Sequence, residues 1–174
     1  MSETVIHGAM VRVFNLGVLL LGRSGIGKTG CVIDLLSLGH CLIADDAVKI
    51  TTGQDGGLHA SPCNDLRPYL HLRGVGVVDV RQIFGTHLLC DGHRVDLVIR
   101  LCDEGAECED ELLGDRLSYT LQGQDCPCLN IPASPQKNLA GIIEVAVKNE
   151  QVKRSGMHAL KDFINAHEKL LNHQ

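Results

Sequence analysis

Aromatic residues are scarce: the 174-residue chain has no tryptophan, three phenylalanines and two tyrosines. Basic runs are missing as well, and the formal net charge is −5. With neither stacking platforms nor a cationic stripe, nucleic acid is not an expected partner. No apolar run approaches the roughly 20 residues that cross a bilayer, and the N-terminus lacks the pattern of a secretory leader. The expectation is a soluble cytoplasmic protein that does not engage a membrane. Eight cysteines occur, but no C-x-x-C pair, and only Cys126 and Cys128 stand close together. Zinc sites usually show two tight pairs, so free thiols packed as small hydrophobes are expected instead. A reducing compartment also disfavours disulfides. Internal repeats, linkers and breaks in composition are absent. At 44% hydrophobic and 21% charged residues, the composition is globular and fits one domain over 1–174. Within it, 5–150 reads as the core and 155–171 as a C-terminal helix.

What the chain does have is Gly22-Arg23-Ser24-Gly25-Ile26-Gly27-Lys28-Thr29, which fits G-x-x-x-x-G-K-[ST]. An apolar run, Val18 to Leu21, leads into it, and a helical run, Cys31 to Leu38, follows and stops at Gly39. That is the strand–loop–helix context a phosphate-binding P-loop requires. Glycines at 22, 25 and 27 permit backbone angles that residues with a Cβ resist. Successive N–H groups can then turn inward around a phosphate, helped by the positive end of the helix. Lys28 is placed to reach the β- and γ-phosphates, and the Thr29 hydroxyl to ligate Mg²⁺.

Further along, Val5 to Phe14 reads as a strand region that forms a hairpin with Val18–Leu21 across the Asn15-Leu16-Gly17 turn. Cys41 to Ala44 is a short buried strand ending in Asp45-Asp46. After a P-loop helix, acids at a strand's C-terminal end suggest a Walker-B-like metal site, the bland reading being two solvated turn residues. Residues 51–67 read as a loop or irregular hairpin, 71–80 as a strand or strand pair, and 81–84 as a short helix. Val95–Cys102, Tyr119–Leu121 and Cys128–Ile131 read as strands. The acidic stretch from Asp103 to Gly114 reads as a solvated face, and Leu139 to Val147 as helix. Ser155 to Leu171 carries Met157, Leu160, Phe163, Ile164, His167, Leu170 and Leu171 on one stripe, with Ser155 as candidate N-cap. That stripe is expected to pack in the core or against another subunit, with a grip on a protein partner as the sharper alternative.

Several short stretches, in order, resemble the catalytic C-terminal domain of the HPr kinase/phosphorylase family, which are bacterial serine kinases. They are Ile6-His7-Gly8, the P-loop, Gly39-His40 with Ala44-Asp45-Asp46, Leu72-Arg73-Gly74-Val75-Gly76 and Ile83-Phe84-Gly85. Asp115-Arg116-Leu117 and the run from Asn138 to Ala146 complete the set. On this resemblance the chain is a short form lacking the N-terminal domain of long members. The resemblance implies an α/β P-loop kinase domain related to phosphoenolpyruvate carboxykinase, with a mixed sheet core and flanking helices. It implies phosphoryl transfer from ATP, with Mg²⁺ or Mn²⁺, to a serine of the phosphocarrier HPr or an HPr-like protein, and homo-oligomers such as hexamers. By position, Asp46 is the base, Asp45 its neighbour and a metal-shell residue, and His7, 21 residues before Lys28, contacts phosphate. Arg116 matches an arginine that stabilises transferred charge, and Arg73 shapes the site. An acid beside an acid also tends to titrate high, which suits proton transfer in either direction.

Two departures from the family pattern stand out. A metal-binding glutamate is replaced by His71, whose imidazole is a poor Mg²⁺ ligand. The loop that serves dephosphorylation has become Ala133-Ser134-Pro135-Gln136-Lys137-Asn138, without its two arginines and glycine. Weak or absent phosphorylase activity is therefore expected. The alternatives are a nucleotide-binding regulator that has lost catalysis, and a small-molecule kinase on the same fold.

Overall fold

The computed structural model describes residues 3–103, 105, 117–134 and 136–171. The chain begins with β1 (Glu3–His7), β2 (Ala9–Val13) and β3 (Leu16–Leu21), then helix α1 (Lys28–Ser37). Next come β4 (Cys41–Ala44), β5 (Ala47–Thr52), β6 (Leu58–Pro62), β7 (Tyr69–Leu72), β8 (Gly76–Asp79) and the one-turn α2 (Val80–Ile83). After a 3₁₀ turn at Thr86–Leu88 follow β9 (His93–Arg94), β10 (Leu97–Cys102), β11 (Leu117–Leu121) and β12 (Gln124–Pro132). Helices α3 (Leu139–Arg154) and α4 (Ala159–Leu171) end the described chain.

Six strands form a mixed sheet in the order β11-β12-β10-β3-β2-β4, in which β3, β10 and β12 run parallel. Four others form an antiparallel sheet, β1-β5-β6-β9, and β7-β8 is a separate hairpin. The region read as one strand, Val5 to Phe14, is thus two strands in two different sheets. The break is Gly8, where a Cβ would stand 2.7 Å from the Leu20 carbonyl oxygen, so only glycine lets the chain cross there.

β3 explains the layering. All six of its residues are buried, because the sheet is covered on both faces. Val18 and Leu20 pack with Val32 and Leu35 of α1 and Ile143 of α3. Leu19 and Leu21 pack the other way, with Val48 and Ile50 of β5 and Leu58 of β6. The result is three layers: helices, mixed sheet, second sheet. Each fully buried aliphatic side chain stabilises such a core by about 1.5–3 kcal/mol. The buried Asp96 carboxylate accepts from the Gly17 N–H at 2.8 Å and from Arg154 at 3.1 Å, tying the end of α3 to the strand that delivers the P-loop.

Three expectations need correction. Ser155 does not start a helix but closes α3, its Oγ donating to the Val152 carbonyl at 2.6 Å; Gly156, at φ 91°, then turns the chain away. The stripe on α4 is not core, since no residue of that helix is buried and Phe163 and Leu170 are 66% and 70% exposed. A 3.6-residue period reports that a helix has an apolar face, not what covers it. Six cysteines are free thiols as expected, but Cys102 is disulfide-bonded. The acidic stretch read as a solvated face lies almost wholly outside the described residues.

Candidate active site

The P-loop runs from the end of β3 into the first turn of α1. Gly25 and Gly27 adopt φ of 80° and 111°, in the left-handed range that side chains resist. Gly27 is the N-cap of α1 and makes no side-chain cap, so the helix presents bare N–H groups to the loop. Lys28, 7% exposed, folds back so that Nζ donates to the Gly22 carbonyl at 2.6 Å and the Arg23 carbonyl at 3.1 Å. Burial pulls its pKa below the ordinary lysine value, while Asp45 and Asp46 work in the opposite direction. The loop thus keeps a costly cation on its own carbonyls, ready for an anion.

β4 carries the acids to the same place. The Thr29 hydroxyl donates to Asp45 Oδ2 at 3.1 Å, joining helix start to strand end. Burial, ahead of the neighbouring acid, raises the Asp45 carboxyl above its usual range, and the Thr29 hydrogen bond partly offsets this. Asp46 is mostly exposed and holds a left-handed backbone, φ 68°, that Asp tolerates better than most residues. Its carbonyl accepts from the Gly8 N–H at 3.2 Å and from His7 Nδ1 at 3.0 Å. His7 Nδ1 also stands 3.1 Å from the Asp46 carboxylate. Both partners are acceptors, so Nδ1 carries the proton and Nε2 is left for another ligand. A cleft of about 710 Å³ unites His7, Lys28, Thr29, Asp45 and Asp46 with His71 and Arg73.

The sequence model of the family described as "HPr Serine kinase C-terminal domain" matches residues 1–167. The chain belongs to this family. It is 38% identical over 172 residues to an HPr kinase/phosphorylase of Geobacter sulfurreducens, covering 98% of this chain and 53% of that protein. It is 42% identical over 149 residues to one of Chlorobaculum tepidum, covering 84% and 44%. The chain thus spans about half the length of the curated relatives it matches. A solved structure of the HPr(Ser) kinase/phosphatase from Coxiella burnetii superposes with a TM-score of 0.79 at 26% identity, over 95% of this chain and 97% of that one. The α/β fold expected from the resemblance is the one found.

Of the candidate residues, Ser24, Gly25, Gly27, Lys28 and Thr29 of the P-loop line the cleft. Gly22, Arg23 and Ile26 line a smaller hollow of about 140 Å³, where the Arg23 guanidinium grips Asp103 through two 2.7 Å bonds. Arg116 lies outside the described residues. His71 and Arg73 are exposed, at the end of β7 and in the β7–β8 turn. Among the described residues, no group of three or more His, Cys, Asp and Glu could hold a metal alone. Mg²⁺ does not require one. Bound with a nucleotide it usually takes one or two protein oxygens, and neighbouring ligands of an octahedral ion with bonds of ~2.1 Å stand about 3 Å apart. The Thr29–Asp45 spacing fits that pair; the imidazole of His71 does not suit the ion. Arg67 and Tyr69 also line the cleft and went unnoticed in the sequence. Arg67 stands in a polar stretch that reads only as loop, and its guanidinium binds the Cys90 carbonyl and Asp91, each at 2.7 Å.

Proposed function

We propose that this chain is an ATP-dependent kinase that phosphorylates a serine of HPr or an HPr-like phosphocarrier protein in the bacterial cytoplasm. The observation that carries this reading is the Thr29–Asp45 contact at the head of a P-loop, with Asp46 beside it in one cleft. Family membership supports the same chemistry. Gly25, Gly27 and the start of α1 cradle the phosphates, and Lys28 leaves its loop carbonyls for the β- and γ-phosphoryl oxygens. Thr29 and Asp45 would hold Mg²⁺, which supplies charge neutralisation at the transferring group. Asp46 takes the proton of the serine hydroxyl as its oxygen forms the new bond to phosphorus and ADP departs. His7, oriented through Nδ1, offers Nε2 to the phosphoryl group, and Arg73 lines the acceptor side. Arg116 is assigned to transferred charge by its place in the family motif alone. Positioning and electrostatics carry most of the catalysis in this class. Assembly into homo-oligomers, hexamers by family resemblance, belongs to the same proposal.

The test is incubation of the protein with Mg²⁺, γ-labelled ATP and purified HPr. Stoichiometric ADP and phosphoserine on HPr are expected. Nucleotide binding without transfer, or transfer to a small metabolite alone, would replace this reading with one of its rivals.

A further inference from the structure

Two of the free thiols, Cys41 and Cys90, stand outside the cleft and serve no step above. Cys41 opens β4, the strand that ends at Asp45 and Asp46, and is only 4% exposed. A parallel bridge pairs Leu42 with Leu89, and the Cys90 N–H donates to the Leu42 carbonyl at 2.8 Å. Cys41 and Cys90 therefore lie on the same side of two adjacent extended segments, two register positions apart, near enough that the Cys41 side chain acts on the Cys90 thiol. Arg12, on β2, donates from Nη2 to Cys41 Sγ at 3.0 Å, and the Cys41 thiol points to the His87 carbonyl at 3.7 Å. Burial raises the Cys90 thiol above its ordinary range, and Arg12 works in the opposite direction, so exchange at Cys90 quickens as pH rises. Cys90 is the half-buried member, open to a small reagent.

We infer that Cys41 and Cys90 form a redox-active dithiol, which a low-molecular-weight disulfide of the glutathione class converts to an intramolecular disulfide. The Cys90 thiol loses its proton and its sulfur attacks the reagent, releasing one glutathione thiol and leaving a mixed disulfide. Cys41 then loses its thiol proton, and its sulfur, beside Arg12, attacks Cys90 Sγ and expels the second glutathione thiol. Two protein thiols are oxidised, one glutathione disulfide is reduced, and the two thiol protons end on the two glutathiones. The bond staples the segment after the 3₁₀ turn to β4. The cleft is one step away, since Arg67 lines it and is anchored on the Cys90 carbonyl and on Asp91. Arg67 is thus a positioning residue through which oxidation reaches the nucleotide site. This second step rests on the proposed ATP binding, whereas disulfide formation does not.

The experiment treats the intact protein with glutathione disulfide, digests it without reduction and maps linked peptides by mass spectrometry. A Cys41–Cys90 cross-link that dithiothreitol removes is expected, while the cleft thiol Cys63 yields only a mixed disulfide. Cys90→Ser, a change at a half-exposed site, should lose the cross-link; Cys41→Ala should stop at a mixed disulfide on Cys90. Glutathione left on Cys90 of the wild-type protein, with no link to Cys41, overturns the dithiol. ATP affinity is then measured on reduced and oxidised protein carrying Cys63→Ala. A change of threefold or more supports the route through Arg67, and equal affinities overturn it. Failure of the reduced protein to bind ATP at all indicts the proposed function instead.

Discussion

Thr29 donates its hydroxyl hydrogen to Asp45 across 3.1 Å, so the first turn of α1 and the end of β4 are locked before any ligand arrives. Thr29→Val keeps the shape and removes the oxygen. Transfer should fall roughly 100-fold or more, as expected for loss of a charge-neutralising metal contact, while Thr29→Ser stays within about tenfold of wild type. A Mg²⁺ titration of initial rates for both variants decides the matter. Equal metal dependence in Thr29→Val and wild type would remove the threonine from the metal site.

Asp45 gives a pH signature that needs no substrate. Burial raises its carboxyl in the folded protein above the value of the unfolded chain. The folded state then holds the proton more tightly, so stability falls as pH rises from the ordinary carboxylate range through the raised value, and the cost is fully present above it. Asp45→Asn removes that cost. Without metal or nucleotide, the variant should melt above wild type at pH 7, and the gap should close toward pH 4. Thermal melts across this range check the sign; a variant less stable at pH 7 would contradict it.

The two C-terminal helices should respond differently to truncation. Ile143 on α3 is fully buried against the mixed sheet, and Ile143→Ala should cost about 2–5 kcal/mol. Phe163 on α4 is 66% exposed, and Phe163→Ala should change stability by no more than about 0.5 kcal/mol. Urea unfolding, at concentrations below any self-association, compares them. Similar costs would mean that α4 is buried in solution.

This contrast also marks how far the sequence could be read. The P-loop was legible because its glycines, lysine and threonine need fixed spacing, and the α1 and β4 boundaries follow from punctuation at Gly39 and Asp45. The turn α2 was visible through Gly85, and Gly74 and Gly76 marked a bend in a stretch read as a strand or strand pair, which is the hairpin β7-β8. What escaped are relationships made only in three dimensions. Gly8 looks like an interruption in one strand, yet it passes the chain between sheets and delivers His7 to Asp46. Asp45 owes its raised carboxyl chiefly to the layers that bury it, which a sequence pair cannot announce. Arg67 reaches the cleft from a stretch whose composition says only loop.

The loop from Ala133 to Asn138 predicts an imbalance between directions. Without the family's arginines there, little positive charge remains to hold inorganic phosphate for attack on phosphoserine. Release of pyrophosphate from phosphoserine-HPr at millimolar phosphate should be weak or undetectable beside the forward rate. Efficient phosphorolysis would show that other cations do that work.

The most direct test separates binding from chemistry at Asp46. Asn tolerates the same left-handed backbone, so Asp46→Asn should fold and bind ATP with an affinity within a few-fold of wild type. Because the amide cannot accept the serine proton, phosphorylation of HPr should drop by about 10²–10⁴-fold, the usual contribution of a general base. Measured side by side with wild type, retained ATP binding and lost phosphoserine is the predicted result. An Asp46→Asn protein that phosphorylates HPr at the wild-type rate contradicts the account.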